Sequence, residues 1–401
     1  MTENSINTTN VKIVENKETS KLEKVNLLPS YYGDMNQVLT LEEALKQYDQ
    51  LKLKDTISPK RSIKEYADKL KLSSISEVSN KIYEISSKND TDADNVIGIF
   101  ALSPSNVSHL PPTEKDGLAG LAILSNALSN LGFTVVIMTD SINQPVISQI
   151  LSNSELFKHY VDINQEIGYA PKNLNLEKRK TYVIGVVPDP GIDSEWVEFL
   201  DNIQKKFSLL MVLGRPSKDL DTGIYRNSRG LRMNHYCSNL EGIYMKIVQQ
   251  DNKIPIFAFS DSSENQLGVY QKDDKRSQYN ANHIIVSHTV DWVCYYLSAG
   301  IALRFISNIK NLYANNNSNK ENIQAVEEIN AKMLHDAFQS FFPGEDTFIY
   351  LNEKIKELEV WDTQYGNEIK KGLTIENDWE IRMKIRRIVS QFGVSVDFKH
   401  V

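Results

Sequence analysis

Two carboxylates stand just before an apolar helical pattern in this sequence of 401 residues. Glu114 and Asp116 lie two residues apart, a spacing that suits a general base and a group that orients it. The alternative is that both side chains cap the helix, because the first-turn amides of a helix attract negative charge. Spacing alone favours the capping interpretation and leaves the catalytic one open.

Three arginines lie in one polar segment, residues 214–230, which follows a buried apolar run. Arg215, Arg226 and Arg229 stand there among Gly, Pro and Asn residues. Guanidinium groups at the C-terminal end of a strand suit bidentate binding of a carboxylate or a phosphate. Pairing with acids of the same segment is an equally good interpretation of this pattern.

Two further acids follow apolar runs. Asp261 ends one such run, where α/β enzymes commonly carry catalytic groups, but the sequence Ser-Asp-Ser-Ser also forms turns. Asp140 lies some twenty residues after a pair of glycines and imitates the acid of a dinucleotide-binding fingerprint, which holds a ribose hydroxyl. The full G-x-G-x-x-G is absent and the preceding loop is too long for the tight turn. The histidines show no metal-ligand spacing.

The apolar pattern predicts the elements that position these groups. Residues 96–102 and 133–138 are continuous apolar runs, typical of strands buried on both faces of a parallel sheet. Between them, leucines recur at spacings of three and four until Gly132, as in a capped helix. The same criteria predict strands at 182–187, 209–213, 254–259 and 283–286, and helices at 145–160, 194–207, 239–250, 290–309, 323–342, 350–360 and 379–392. This alternation predicts an α/β fold with a doubly wound, mostly parallel sheet and helices on both faces.

The N-terminal part of the chain has a different composition. Residues 1–28 are polar, without an apolar period, and predict a disordered tail. Residues 29–94 predict a helical segment packed on the main domain, which covers residues 95–401. The tail resembles neither a secretory signal nor a mitochondrial transit peptide, so a cytoplasmic location is expected and a mitochondrial one is left open.

Charge and composition exclude several classes of partner. A net charge of −7 argues against nucleic acid, because phosphate binding needs a clustered basic face. No apolar run reaches the roughly 18 residues of a membrane helix. Two cysteines far apart in sequence exclude a disulfide scaffold and fit a reducing compartment.

Five segments, in order, resemble the domain that forms the C-terminal half of D-glutamate cyclase. They read PTEKDGLAGLAILSNALSNLGFTVVIMTD, GRPSKDLDTGIYRNSRG, IFAFSDSSENQLGV, VDWVCYYLSAGIAL and GVSVDF, and the similarity runs from about residue 95 to the C-terminus. The sequence departs from the family pattern at several loop positions. Lys115 and Leu118 replace a threonine and a proline, Ser262 and Ser263 replace glycines, and Gln266 replaces a glutamate. Asp291 stands in place of an asparagine.

The resemblance implies a hydro-lyase that converts D-glutamate, or a similar amino acid, to 5-oxoproline with loss of water. It implies catalytic roles for Glu114, Asp116 and Asp261, with Arg226 and Arg229 as the carboxylate clamp. The implied substrate-binding residues in full are Arg215, Tyr225, Arg226, Asn227, Arg229, Asn265 and Gln266. No cofactor or metal is required, although a divalent ion at the three catalytic carboxylates is left open.

A second class of function is a non-catalytic protein that keeps the fold and binds a small acid or a nucleotide. The substituted loop residues are its main support. In either case the expected partner is a small amino acid or carboxylate, and homo-oligomerisation is left open.

Overall fold

A computed structural model describes residues 38–53, 69–88, 95–172, 174–250, 254–261, 266–271, 274–316, 323–362 and 374–396. The predicted tail and the candidate site residue Asn265 lie outside these ranges. The chain from Val38 onward forms one unit.

Within the described residues, six strands form one parallel sheet in the order β3-β2-β1-β4-β5-β6. Their apolar sequences are buried along almost their whole length, because helices cover both faces of the sheet. The doubly wound α/β prediction is therefore confirmed. The strands are β1 (Val96–Ala101), β2 (Thr134–Asp140), β3 (Thr181–Val186), β4 (Phe207–Leu213), β5 (Ile256–Ser260) and β6 (His283–Val286).

The helices divide between the two faces of the sheet. They are α1 (Leu41–Leu53), α2 (Ile75–Lys88), α3 (Leu118–Asn130), α4 (Gln144–Leu151), α5 (Ser194–Gln204), α6 (Leu240–Gln249), α7 (Val290–Asn316), α8 (Ile323–Phe341), α9 (Glu345–Glu357) and α10 (Ile375–Gln391). Alternate strand residues such as Ile97 and Ile99 pack with α3, α4 and α7, whereas Val96 and Phe100 pack with α5 and α6. Successive side chains of a strand point to opposite faces, which explains this division. No helix in these ranges is long and apolar enough to cross a membrane.

One predicted helix is too long. The pattern over 145–160 predicts sixteen helical residues, but α4 ends at Leu151 and is followed by turns. The Asn153 side chain accepts hydrogen bonds from the backbone N–H groups of Glu155 and Leu156. Such local bonds compete with helical ones, so the helix stops although the apolar period continues.

The N-terminal helices pack on α7. At Gly300 of that helix, an added Cβ would stand 3.3 Å from side-chain atoms of Ile75 and Ser79, so glycine permits a close approach. Arg304 then donates to the backbone carbonyl of Ser76 at 2.9 Å. The boundary at residue 95 between a helical segment and the α/β domain stays a prediction.

The strand order creates a crevice at the C-terminal edge of the sheet. From β1 the chain moves outward to β2 and β3, and from β4 it moves outward in the opposite direction. The loops after β1 and β4 therefore diverge, and in open α/β sheets ligands bind at this switch point. We call residues 102–117 the β1 loop and residues 214–230 the arginine loop.

Candidate functional site

The β1 loop and the arginine loop meet through Ser105. Its hydroxyl donates to Glu114 Oε2 at 2.7 Å, and its carbonyl accepts from Asn227 Nδ2 at 2.8 Å. The Asn227 Oδ1 atom in turn accepts from the backbone N–H groups of Arg229 and Leu231, at 3.0 and 2.9 Å. Glu114 is thus linked through two buried or half-buried polar residues to the segment that carries Arg226 and Arg229.

Asp116 caps a helix, but not the helix that follows it in sequence. Both of its carboxylate oxygens lie within 3.3 Å of the backbone nitrogen of Val290, at the start of α7. Asp291 does the reverse and accepts from the backbone N–H groups of Gly117 and Gly120, at the start of α3. The two helices therefore exchange acidic caps, and each carboxylate meets a positive helix end. This placement favours a structural role for Asp116.

The family's asparagine and this chain's Asp291 are not equivalent as caps. A carboxylate offers two acceptor oxygens, whereas an amide offers one oxygen and a donor. Here the two oxygens of Asp291 serve two different N–H groups. Gly120 is required beside it, because an added Cβ would lie 2.6 Å from the Cα atom of Asp291.

Arg215 forms a buried ion pair with Asp140, the last residue of β2. The guanidinium is 1% exposed and donates to both Asp140 oxygens, to the carbonyl of Leu102 and to Ser238. Burial works against the charged form, but the attraction of Asp140 outweighs it and raises the pKa of Arg215. These contacts favour a structural role for Arg215, since four of its five N–H groups have protein acceptors, and its assignment to substrate binding stays a prediction.

The same contacts bear on the nucleotide alternative. The Oδ1 atom of Asp140 accepts from Arg215 and from both the N–H and the hydroxyl of Ser238, while Oδ2 accepts from Arg215. Its acceptor capacity is used inside the protein, so it is not placed to hold a ribose hydroxyl. The dinucleotide-like spacing around Asp140 reflects packing between β2 and the loop after β4.

The other end of the arginine loop is open to solvent. Arg226 is exposed and its Nη1 donates to the carbonyl of Gly230 at 3.0 Å, and Arg229 is exposed as well. Tyr225, in contrast, is 2% exposed, and its hydroxyl has no hydrogen-bond partner within the described part of the chain. Burial raises the pKa of that hydroxyl, which keeps it protonated. The loop therefore combines solvent-facing guanidinium groups with an interior hydroxyl.

Asp261 and Gln266 form a contact at the C-terminal end of β5. Gln266 Nε2 donates to Asp261 Oδ1 at 2.6 Å. The backbone of Gln266 pairs with Pro216 of the arginine loop and with Val269. Asp261 thus lies one strand away from the β1–β4 crevice, beside the start of the arginine loop.

The three predicted catalytic carboxylates are not gathered into a metal-binding group. Over the ranges that the structure describes, no group of three or more His, Cys, Asp or Glu side chains lies close enough to hold a metal ion. Asp116 faces the start of α7, and Asp261 faces Gln266. A divalent ion shared by Glu114, Asp116 and Asp261 has no support in this geometry.

Two residues that no sequence pattern indicated join the loops of β4 and β5. Arg276 donates to the Ser217 hydroxyl at 2.6 Å and to Glu241 at 3.1 Å, and its guanidinium lies 4.5 Å from the Tyr270 ring centre. Glu241, in the first turn of α6, also accepts from the backbone of Lys218 at 2.8 Å. These contacts join residues that are far apart in sequence, so they could not be predicted from it. The one local signal is the acidic residue in the first turn of α6.

The sequence profile described as D-glutamate cyclase-like, C-terminal, matches residues 58–339. The chain belongs to this family. The match confirms the resemblance, but it begins before residue 95 and therefore includes α2, and it ends before α9. No curated protein sequence matches the chain as a relative.

Residues C-terminal to the matched region contact the β1 loop and the start of α7. His109 of the β1 loop donates to the carbonyl of Glu359 at 2.7 Å, and its ring stacks on Trp361 with centres 4.1 Å apart. Trp292, in the first turn of α7, donates to Asp378 of α10 at 3.0 Å. The β1 loop is therefore held by the segment that follows α9, and the start of α7 is held by α10.

Proposed function

We propose that the protein is a hydro-lyase of the D-glutamate cyclase type, acting on D-glutamate or a similar amino acid to give 5-oxoproline. In this reaction the amine nitrogen attacks the side-chain carboxyl carbon, a C–N bond forms and a C–O bond breaks. The ammonium gives up two protons and the departing oxygen takes up two, so water leaves. The site must therefore hold a carboxylate, remove protons from nitrogen and protonate oxygen.

The contact that supports this proposal is the link from Glu114 through Ser105 and Asn227 to the arginine loop. It brings a buried carboxylate and two exposed guanidinium groups to the same edge of the sheet, at the switch point. An acid–base group beside an anion clamp is what cyclisation of an amino acid needs. Membership of the D-glutamate cyclase-like family supports the same reaction class.

The proposed roles follow from these placements. Arg226 and Arg229 bind the substrate carboxylate that does not react, while Glu114 and Asp261 share the base and acid roles. The sequence-based assignment puts the base at Glu114 or Asp116 and the acid at Asp261. Asp116, Arg215 and Asn227 hold the loops in position.

The direct test is conversion of D-glutamate, with L-glutamate in parallel, followed by mass-spectrometric detection of 5-oxoproline. Glu114→Gln keeps an acceptor for Ser105 but removes the ionisable group, so turnover should fall by about 10²–10⁴-fold. Glu195→Gln, at an exposed position on α5, is the matched control and should retain full turnover. Equal turnover in both variants would remove Glu114 from the mechanism.

The second candidate function is binding of a small acid without catalysis. Its support is the replacement of the family's loop glutamate by Gln266, whose amide cannot exchange a proton at neutral pH. Binding of a dicarboxylate by a protein that forms no 5-oxoproline would favour this function. The cytoplasmic location expected from the sequence is part of both proposals.

A further inference from the structure

The amide oxygen of Gln266 is a buried acceptor that lacks a donor. The residue is 8% exposed, and its Oε1 atom has no hydrogen-bond partner among the residues that the structure describes. Its Nε2 atom is engaged with Asp261, which fixes the orientation of the amide, because the reverse orientation would set two acceptors against each other. A buried polar atom without a partner is costly, so a site that keeps one is a candidate for binding a donor.

The backbone around Gln266 is held in place. Gln266 pairs with Pro216 and Val269, and the next residue, Leu267, donates to the carbonyl of Arg215 at 2.8 Å. Arg215 is in turn locked by Asp140. The amide oxygen is therefore carried on a rigid frame at the C-terminal edge of the sheet, between the loops of β4 and β5, and sites on rigid frames bind with defined geometry.

From this arrangement we infer that Gln266 and Asp261 form a subsite for the ammonium group of the substrate. The ammonium donates to Gln266 Oε1, and the Asp261 carboxylate supplies the compensating negative charge. This inference rests on the proposed function and deepens it by naming the group that selects an amino acid over a plain dicarboxylate. It also places Asp261 beside the nitrogen, so Asp261 removes protons from the ammonium and Glu114 protonates the departing oxygen.

A second glutamine offers a comparison inside the same protein. Gln204 also donates to an aspartate, Asp201, at 3.1 Å, and its buried Oε1 atom likewise has no partner among the described residues. It ends α5 just before β4 begins, and so lies toward the N-terminal edge of the sheet. An unpartnered amide is therefore not a ligand site by itself. Gln266 differs from Gln204 in its position, because it lies between the loops of β4 and β5 at the C-terminal edge of the sheet.

The experiment measures binding with a pair of ligands that cannot form 5-oxoproline. D-homocysteate has the shape of D-glutamate with a sulfonate on its side chain, and 4-sulfobutyrate is the same molecule without the amine. Isothermal titration gives the dissociation constants of both ligands for the full chain and for Gln266→Leu. Gln204→Leu removes a chemically matched amide far from the crevice and serves as the control variant.

The unmodified protein should bind D-homocysteate about 10- to 100-fold more tightly than 4-sulfobutyrate, since a hydrogen bond to a charged donor is worth this much. Gln266→Leu should abolish that preference and leave 4-sulfobutyrate binding unchanged, and Gln204→Leu should keep it. Equal binding of the two ligands by the unmodified protein would overturn the subsite without any variant having to fold. The subsite would also be overturned if Gln266→Leu kept the preference for D-homocysteate. A preference that depends on added KCl or MgCl₂ would overturn it as well.

The result is independent of turnover. An amine preference that Gln266→Leu removes, in a protein that forms no 5-oxoproline, would uphold the subsite and overturn the enzyme. Formation of 5-oxoproline without an amine preference would uphold the enzyme and overturn the subsite. Absence of both binding and turnover in the folded protein would overturn both.

Discussion

Arg215 and Arg226 belong to one loop and look equivalent in sequence, yet their surroundings are opposite. Arg215 is 1% exposed and pairs with a fully buried aspartate, whereas Arg226 is exposed and donates to the backbone carbonyl of Gly230 in its own loop. A charged group whose donors are satisfied inside the protein holds loops together. One that faces solvent at the same edge can exchange water for a ligand.

Arg215→Met should lower the free energy of unfolding by about 3–5 kcal/mol, because it leaves the Asp140 carboxylate buried without its counter-charge. Chemical denaturation followed by circular dichroism measures the loss. If the variant does not fold, adding Asp140→Asn should restore part of the stability, since the unpaired charge is then gone. A loss below about 1 kcal/mol would show that the pair of Arg215 and Asp140 stabilises the fold no more than a surface ion pair does.

Arg226→Ala should change unfolding by no more than about 0.5 kcal/mol, as expected for an exposed residue. It should weaken binding of a small dicarboxylate by about 2–5 kcal/mol if the guanidinium pairs with a ligand carboxylate. Titration with glutarate and thermal denaturation of the same samples separate the two effects. Large destabilisation with unchanged binding would reverse the contrast with Arg215.

Asp291→Asn should cost about 1–3 kcal/mol, because Gly117 and Gly120 donate to different oxygens of Asp291, and the amide would set an NH₂ donor against one of these N–H groups. Asp116→Asn is the matched control. Both Asp116 oxygens face the backbone N–H of Val290, and the one oxygen of the amide can still accept from it, so the loss should be smaller. Equal losses would show that charge at the helix ends, rather than the number of acceptors, sets the stability of this pair of caps.

Tyr225→Phe should leave the free energy of unfolding unchanged or raise it by about 1 kcal/mol, since it removes a buried hydroxyl that has no partner in the described ranges. The family resemblance implies that Tyr225 binds substrate, and the effect of this substitution on acid binding tests that role. Weaker binding of glutarate with unchanged stability would make Tyr225 a ligand contact. Unchanged binding would assign the ring to packing with Met233 and Cys237.

The positions of the helices and strands could be predicted from sequence because they depend on local apolar periodicity. The runs at 96–102 and 133–138 match β1 and β2 to within a few residues. The helix predicted over 145–160 is too long, because the Asn153 side chain forms hydrogen bonds that end the helix. These bonds are local as well, but apolar periodicity carries no information about them. The family was visible as well, because its motifs are short loops in a fixed order.

By itself the sequence determined the α/β class, the parallel sheet and the loops that carry polar groups, since these follow from which residues must be buried and how often they recur. It could not decide what each polar group does. Arg215 and Asp140 are 75 residues apart, Asp116 and Val290 are 174 apart, and their contacts depend on the strand order that brings these loops together. The tertiary structure therefore decided which charges are neutralised inside the protein, and which acceptors, such as Gln266 Oε1, have no donor among the described residues.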